Sequence, residues 1–116
     1  MKTYDIVPVP KPRQTRADVW KKRPAVMRYR AFADEVRLNK VVVENGASII
    51  FILPMAKSWS CKKKEKMNGE PHTQRPDIDN LLKALLDAIY EEDCGIWSLS
   101  KIEKRWGKVG QIKICK

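Results

Sequence analysis

Apolar positions recur along this chain in patterns that separate strands from helices. From Ala47 to Leu53 they form a nearly continuous run that includes Ile49, Ile50, Phe51 and Ile52. The run is far below the roughly 18 residues that span a bilayer. Its β-branched content predicts a buried strand over Ile49–Pro54. From Ala25 to about Asn39, Val26, Tyr29, Ala33 and Val36 return at helical spacing, and Pro24 suits the first turn of that helix. From about Asp79 to Tyr90 the spacing is helical again. Ile78, Leu82, Leu85 and Ile89 make an apolar stripe, and Asp79, Lys83 and Asp87 line one polar face.

Between these segments the signals are shorter. Thr3 to Val9 alternates enough for an edge strand, which Pro8, Pro10 and Pro12 should end. Val41-Val42-Val43 is either a strand or the end of the preceding helix, and Asn45-Gly46 marks a turn. A short basic helix follows in residues 57–70, capped by Ser58 or Ser60 and ended by Asn68-Gly69. The loop after it carries His72, read as a solvated residue. Ile96–Lys104 and Gln111–Cys115 predict two strands, with Gly107 and Gly110 forming a hairpin between them. Trp97 and Trp106 fit core strand positions. Together these elements predict one α+β domain over residues 1–116, a mixed or antiparallel sheet of about four strands packed against two to three helices.

Charge narrows the partner. In 116 residues Lys and Arg outnumber Asp and Glu by 24 to 14, a formal net charge of +10. That balance favours a polyanion, most commonly nucleic acid. A membrane surface competes, but the chain lacks a clear amphipathic Lys/Trp helix, so no membrane partner is expected. Lys11, Arg13, Arg16, Lys21, Lys22 and Arg23 surround Trp20 in a stretch that is either a solvated loop or a DNA-contacting arm. Lys62, Lys63 and Lys64 form a second basic run suited to phosphate, and Arg75 is a further candidate. Cys61, Cys94 and Cys115 have no CxxC spacing, and no secretory signal is recognisable. Reduced thiols and a cytoplasmic location follow as expectations. A single histidine argues against a zinc site.

The chemistry is expected in Arg75-Pro76-Asp77-Ile78-Asp79-Asn80-Leu81-Leu82-Lys83. Pro76 biases Arg75 toward extended geometry, and if Asp77-Ile78-Asp79 continues extended, both carboxylates point to one side. Two carboxylates about 4 Å apart repel by about 4 kcal/mol at an effective dielectric near 20. A shared proton, a nearby cation or a bound metal must offset that. An aspartate at a helix start is ordinarily a cap, but capping explains one acid, not two. It also leaves Glu91-Glu92-Asp93 at the far end of the helix, where acids oppose the helix dipole. Mg²⁺, which takes hard oxygen ligands and substrate phosphate, is the sharpest explanation. Lys83 then either pairs with Asp79 one turn away or stabilises charge on the phosphate.

These residues resemble the RusA family of Holliday-junction resolvases. The resemblance rests on Asp77-Ile78-Asp79-Asn80-Leu81-Leu82-Lys83, on Asp87-Ala88, and on Ile96-Trp97 with Lys104-Arg105-Trp106-Gly107. Pro10-Lys11-Pro12-Arg13-Gln14-Thr15, Met55-Ala56-Lys57-Ser58-Trp59-Ser60 and Asn68-Gly69-Glu70-Pro71-His72 add to it. The resemblance implies a homodimeric endonuclease of phage or prophage type that binds branched DNA. It further implies Mg²⁺-dependent cutting (Mn²⁺ as a possible substitute) at symmetric positions of a four-way junction. The expected roles include recombination and repair. A nuclease for other branched DNA and a non-catalytic junction-binding protein are the alternatives. By motif, the catalytic set falls on Asp77, Asp79, Lys83 and Asp93, with the three aspartates as metal ligands. Glu92 is an open alternative to Asp93, because the family often has Asp-Asp there.

Overall fold

The computed structural model describes residues 2–12, 24–90 and 95–115. Among them the elements are β1 (Lys2–Tyr4), α1 (Pro24–Leu38), β2 (Ala47–Pro54), α2 (Cys61–Met67), α3 (Ile78–Ile89), β3 (Leu99–Gly107) and β4 (Gln111–Cys115). The four strands form one mixed sheet in the order β1-β4-β2-β3. β4 runs antiparallel to both β1 and β2, whereas β3 runs parallel to β2. This is the expected α+β class, a small sheet with three helices.

β2 is the spine. Ala47, Ile49, Phe51 and Leu53 are buried while the residues between them are not, so one face of the strand meets the helices. Ile112 and Ile114 of β4 join that face, and the helices close it with Phe32, Ala33, Val36, Leu81, Ala84, Leu85 and Ala88. Leu81 and Leu85 lie at the centre of the α3 contact, while Leu82 and Ile89 pack at its margin. The apolar stripe is thus rotated slightly from the one read in the sequence. Val41–Val43 is neither strand nor helix; Val41 and Val43 are buried from a loop.

The expected hairpin between Gly107 and Gly110 does not form. β3 and β4 lie on opposite sides of β2, and residues 108–110 carry the chain across the end of β2. Strands two places apart are separated by about 9.6 Å, which three extended residues can bridge. The glycines make the passage possible. A Cβ on Gly107 would lie 2.2 Å from Ile52 Cγ2, and one on Gly110 would lie 2.7 Å from the Val7 backbone. They serve close approach, not a two-residue turn.

Trp97 is also placed differently. It precedes β3 and is 82% exposed, while Trp106 is buried in the strand as expected. Asn45 holds the Trp97 backbone, accepting its N–H at 2.9 Å and donating to the Gly95 carbonyl at 3.0 Å. No helix among the described residues is long and apolar enough to cross a membrane.

Candidate active site

β3 is an edge strand, and residues 69–76 cover its open side. Gly69 N–H donates to Trp106 O, Trp106 N–H to Glu70 O, and His72 N–H to Lys104 O, at 2.8, 3.0 and 2.9 Å. Arg105 adds a bond from its guanidinium to Gly69 O at 2.7 Å. The strap therefore leads from the end of α2 along β3 to the start of α3, which delivers Asp77.

The local sequence explains both ends of this strap. Ser60 caps α2 by accepting the Lys63 N–H at 3.2 Å, and Gly69 follows the helix with φ +84°. At the other end the Arg75-Pro76 peptide is cis, and Asp77 stands at the N-cap of α3 with extended backbone. The helix begins at Ile78, so Asp79 already lies in its first turn. The extended Asp77-Ile78-Asp79 geometry is thus replaced by a cap followed by a helix.

Asp77 occupies the capping position without using it. Its backbone carbonyl accepts the Leu81 N–H at 3.2 Å, but its carboxylate makes no capping bond. Asp79 Oδ1 accepts the N–H of Asn80 at 3.0 Å. Asp77, Asp79 and Lys83 are all exposed, and none forms an ion pair among the described residues. The simple roles of cap for Asp77 and Asp79–Lys83 ion pair are both absent. Two hard-oxygen donors and an ammonium are left facing solvent at one end of one helix.

That donor set suits Mg²⁺, which is commonly held by one or two carboxylates plus water and phosphate. Among the described residues no group of three or more acidic, histidine or cysteine side chains could hold a metal. The third expected ligand, Asp93, lies outside the described residues, as does Glu92. The flanking residues are described. The Tyr90 hydroxyl donates to Val43 O at 2.6 Å, and Gly95 is held by Asn45.

The basic candidates divide. Lys62 and Lys63 are exposed and Lys64 partly so on α2, a helix with no buried residue, and the Lys63 ammonium lies 4.2 Å from the centre of the Trp59 ring. Arg75 is exposed on the strap. Lys11 is turned to α3, where its ammonium pairs with Asp87. Arg13, Arg16, Lys21, Lys22 and Arg23 lie outside the described residues.

His72 corrects the sequence reading. It is 6% exposed, and its ring lies 4.0 Å from that of Trp106, which in turn meets Trp59 at a tilt, 4.8 Å between ring centres. Burial, and then the neighbouring Lys104 charge, holds its pKa below the usual 6.5. Its Nδ1 has no hydrogen-bond partner. The sequence carries no local signal for this, because Trp106 is remote along the chain and only the fold brings the two rings together.

Sequence reasoning includes Lys104 in the family motif but gives it no role. Its ammonium donates to the carbonyls of Gln74 and Pro76, each at 2.7 Å. The available signal was a lysine in the alternating row Ile102, Lys104, Trp106, where an apolar residue is expected.

No curated protein sequence matches this chain. A family description does, Endodeoxyribonuclease RusA, over residues 5–115, nearly the whole length. With the α+β fold and the free acids at the head of α3 in view, the chain belongs to the RusA family of endodeoxyribonucleases, the crossover-junction resolvases.

Proposed function

We propose that this protein is a Mg²⁺-dependent nuclease that resolves four-way DNA junctions by paired, symmetric cuts in recombination and repair. The observation that carries the reading is the head of α3, where Asp77 and Asp79 are exposed and Asp77 leaves its capping role unused. Asp77 and Asp79 would hold the cation, with Asp93 as the third ligand by family resemblance; Mn²⁺ is a chemically reasonable substitute. When bound, such a cation neutralises phosphate charge and raises the acidity of its water. Lys83, one turn along the same helix face, stabilises the negative charge that grows on the phosphate during attack. The surrounding positive charge holds the DNA. Lys62, Lys63, Lys64 and Arg75 contact DNA phosphates, and the basic residues of the 13–23 segment add to that positive charge. Such contacts position the duplex arms without reading sequence.

The protein acts as a homodimer in this reading. A four-way junction has approximate two-fold symmetry and needs two matched cuts, and a C2 dimer supplies two identical sites. The cytoplasm of a bacterial host carrying a phage or prophage is the setting in which such junctions arise.

The experiment is a comparison of a synthetic four-way junction with a linear duplex of the same sequence. With Mg²⁺ the junction should be nicked at symmetric positions and the duplex left whole, and a chelator should stop cutting without releasing the junction. Equal cutting of both substrates, or cutting that survives chelation, would contradict the proposal.

A further inference from the structure

We propose that Lys104 is a positioning residue for cleavage, acting through the Pro76–Asp77 peptide; this rests on the reading of Asp77 as a metal ligand. Lys104 lies on β3, paired with Phe51 of β2. Ile49, Phe51 and Leu53 face the helices from β2, and their partners on β3 are Ile102, Lys104 and Trp106. The middle position of an otherwise apolar row thus carries an ammonium. Lys104 is half-buried there, and drawing a charge partly out of water is unfavourable unless it finds partners.

Lys104 has no carboxylate partner among the described residues. Its partners are two carbonyls of the strap, Gln74 O and Pro76 O. The second belongs to the peptide group that joins Pro76 to Asp77. That group is planar, so fixing its oxygen also fixes the amide nitrogen of Asp77 and the direction from which its Cα leaves. The Asp77 side chain makes no capping bond that would set its orientation in another way. The Lys104 backbone holds the same strap by accepting the His72 N–H. Lys104 therefore grips the approach to Asp77 at His72, Gln74 and Pro76, with charge-assisted bonds at the last two. It touches neither DNA nor the reacting atoms in this account.

The test compares Lys104→Met with Lys104→Arg in the full-length protein. The readouts are single-turnover junction cutting, junction affinity and Mn²⁺ affinity by EPR. Misplacing a ligand by about 1 Å costs about 100-fold in rate. Lys104→Met should lose cutting by that factor and bind Mn²⁺ about tenfold more weakly, with junction affinity unchanged within about twofold. Lys104→Arg, which can still donate to two carbonyls, should recover most of both.

The metal readout separates positioning from charge. Removing the ammonium that holds the carbonyl next to Asp77 would, on charge alone, tighten Mn²⁺ binding. Tighter binding with a wild-type rate therefore overturns the proposal, as does a lowered melting temperature with wild-type cutting. If Lys104→Met does not fold, Lys104→Gln takes its place, and wild-type cutting and metal affinity in that variant likewise overturn it. Asp77→Asn runs alongside. If it cuts and binds Mn²⁺ normally, the reading of Asp77 fails. If it is inactive while Lys104→Met is normal, the positioning role alone fails.

Discussion

The two ends of α3 are built from similar residues and treated in opposite ways. Toward its C-terminus several polar groups are answered by neighbours. Asp87 pairs with Lys11, Arg37 Nε donates to Ala88 O at 3.0 Å, and the Tyr90 hydroxyl reaches Val43 O. At the N-terminus Asp77, Asp79 and Lys83 stand exposed and without ion pairs among the described residues. Between the two ends Leu81, Ala84 and Leu85 are fully buried and hold the helix rigidly on the sheet. The contrast separates charges that the fold pairs from charges that it leaves exposed. Asp79 and Asp87 lie on the same polar face of one helix, so spacing alone does not distinguish them; the arrival of Lys11 does.

Exchanging single carboxylates breaks this comparison most sharply. Asp79→Asn should reduce junction cutting on the order of 1,000-fold, equivalent to ~4 kcal/mol, with melting temperature and junction binding retained. Asp87→Asn should do the reverse, leaving cutting within about twofold and lowering stability by about 1 kcal/mol in urea denaturation. Lys11→Met should also destabilise, and the double variant should be less destabilised than the sum, since both changes remove the Lys11–Asp87 pair. Equal effects at the two positions would erase the distinction.

The packed middle of the helix gives the next largest effect. Leu85→Ala removes a fully buried side chain. It should lower stability by about 3 kcal/mol in denaturant unfolding, while metal affinity of the folded fraction is preserved.

The smallest effect concerns the strap that leads to the exposed end. The folded pKa of His72 is depressed by burial and by Lys104. Below pH 6.5 the unfolded chain therefore binds a proton that the folded chain resists. Stability should fall as pH drops from 6.5 toward the folded pKa, and the His72 contribution should be level above 6.5. In His72→Phe the melting temperature should depend less on pH across that window. An unchanged acid limb would remove His72 as its source.

Much of this architecture was legible from pattern. The strand at β2, both long helices and the Ser60-to-Gly69 limits of α2 follow from periodicity and capping, because local sequence dominates there. The failures share a cause in long-range topology. Gly107 and Gly110 read as a hairpin because local sequence cannot show that β2 will lie between their strands. Trp97 read as core because an aromatic residue near a strand usually is, yet Asn45, 52 positions earlier, anchors its backbone outside. His72 read as solvated because its partner Trp106 is remote in sequence. The candidate site rests on a motif, and the fold adds what the motif does not carry: Asp77 leaves its cap unmade, Lys83 is not spent on Asp79, and Lys104 reaches the peptide before Asp77.

The central claim is that the free carboxylates at the head of α3 hold the divalent cation used in cutting. Anomalous diffraction from crystals soaked in Mn²⁺ tests it directly. The expected result is a peak about 2.1 Å from carboxylate oxygens of both Asp77 and Asp79, lost in Asp79→Asn. A peak coordinated elsewhere in a protein that still cuts junctions would contradict it.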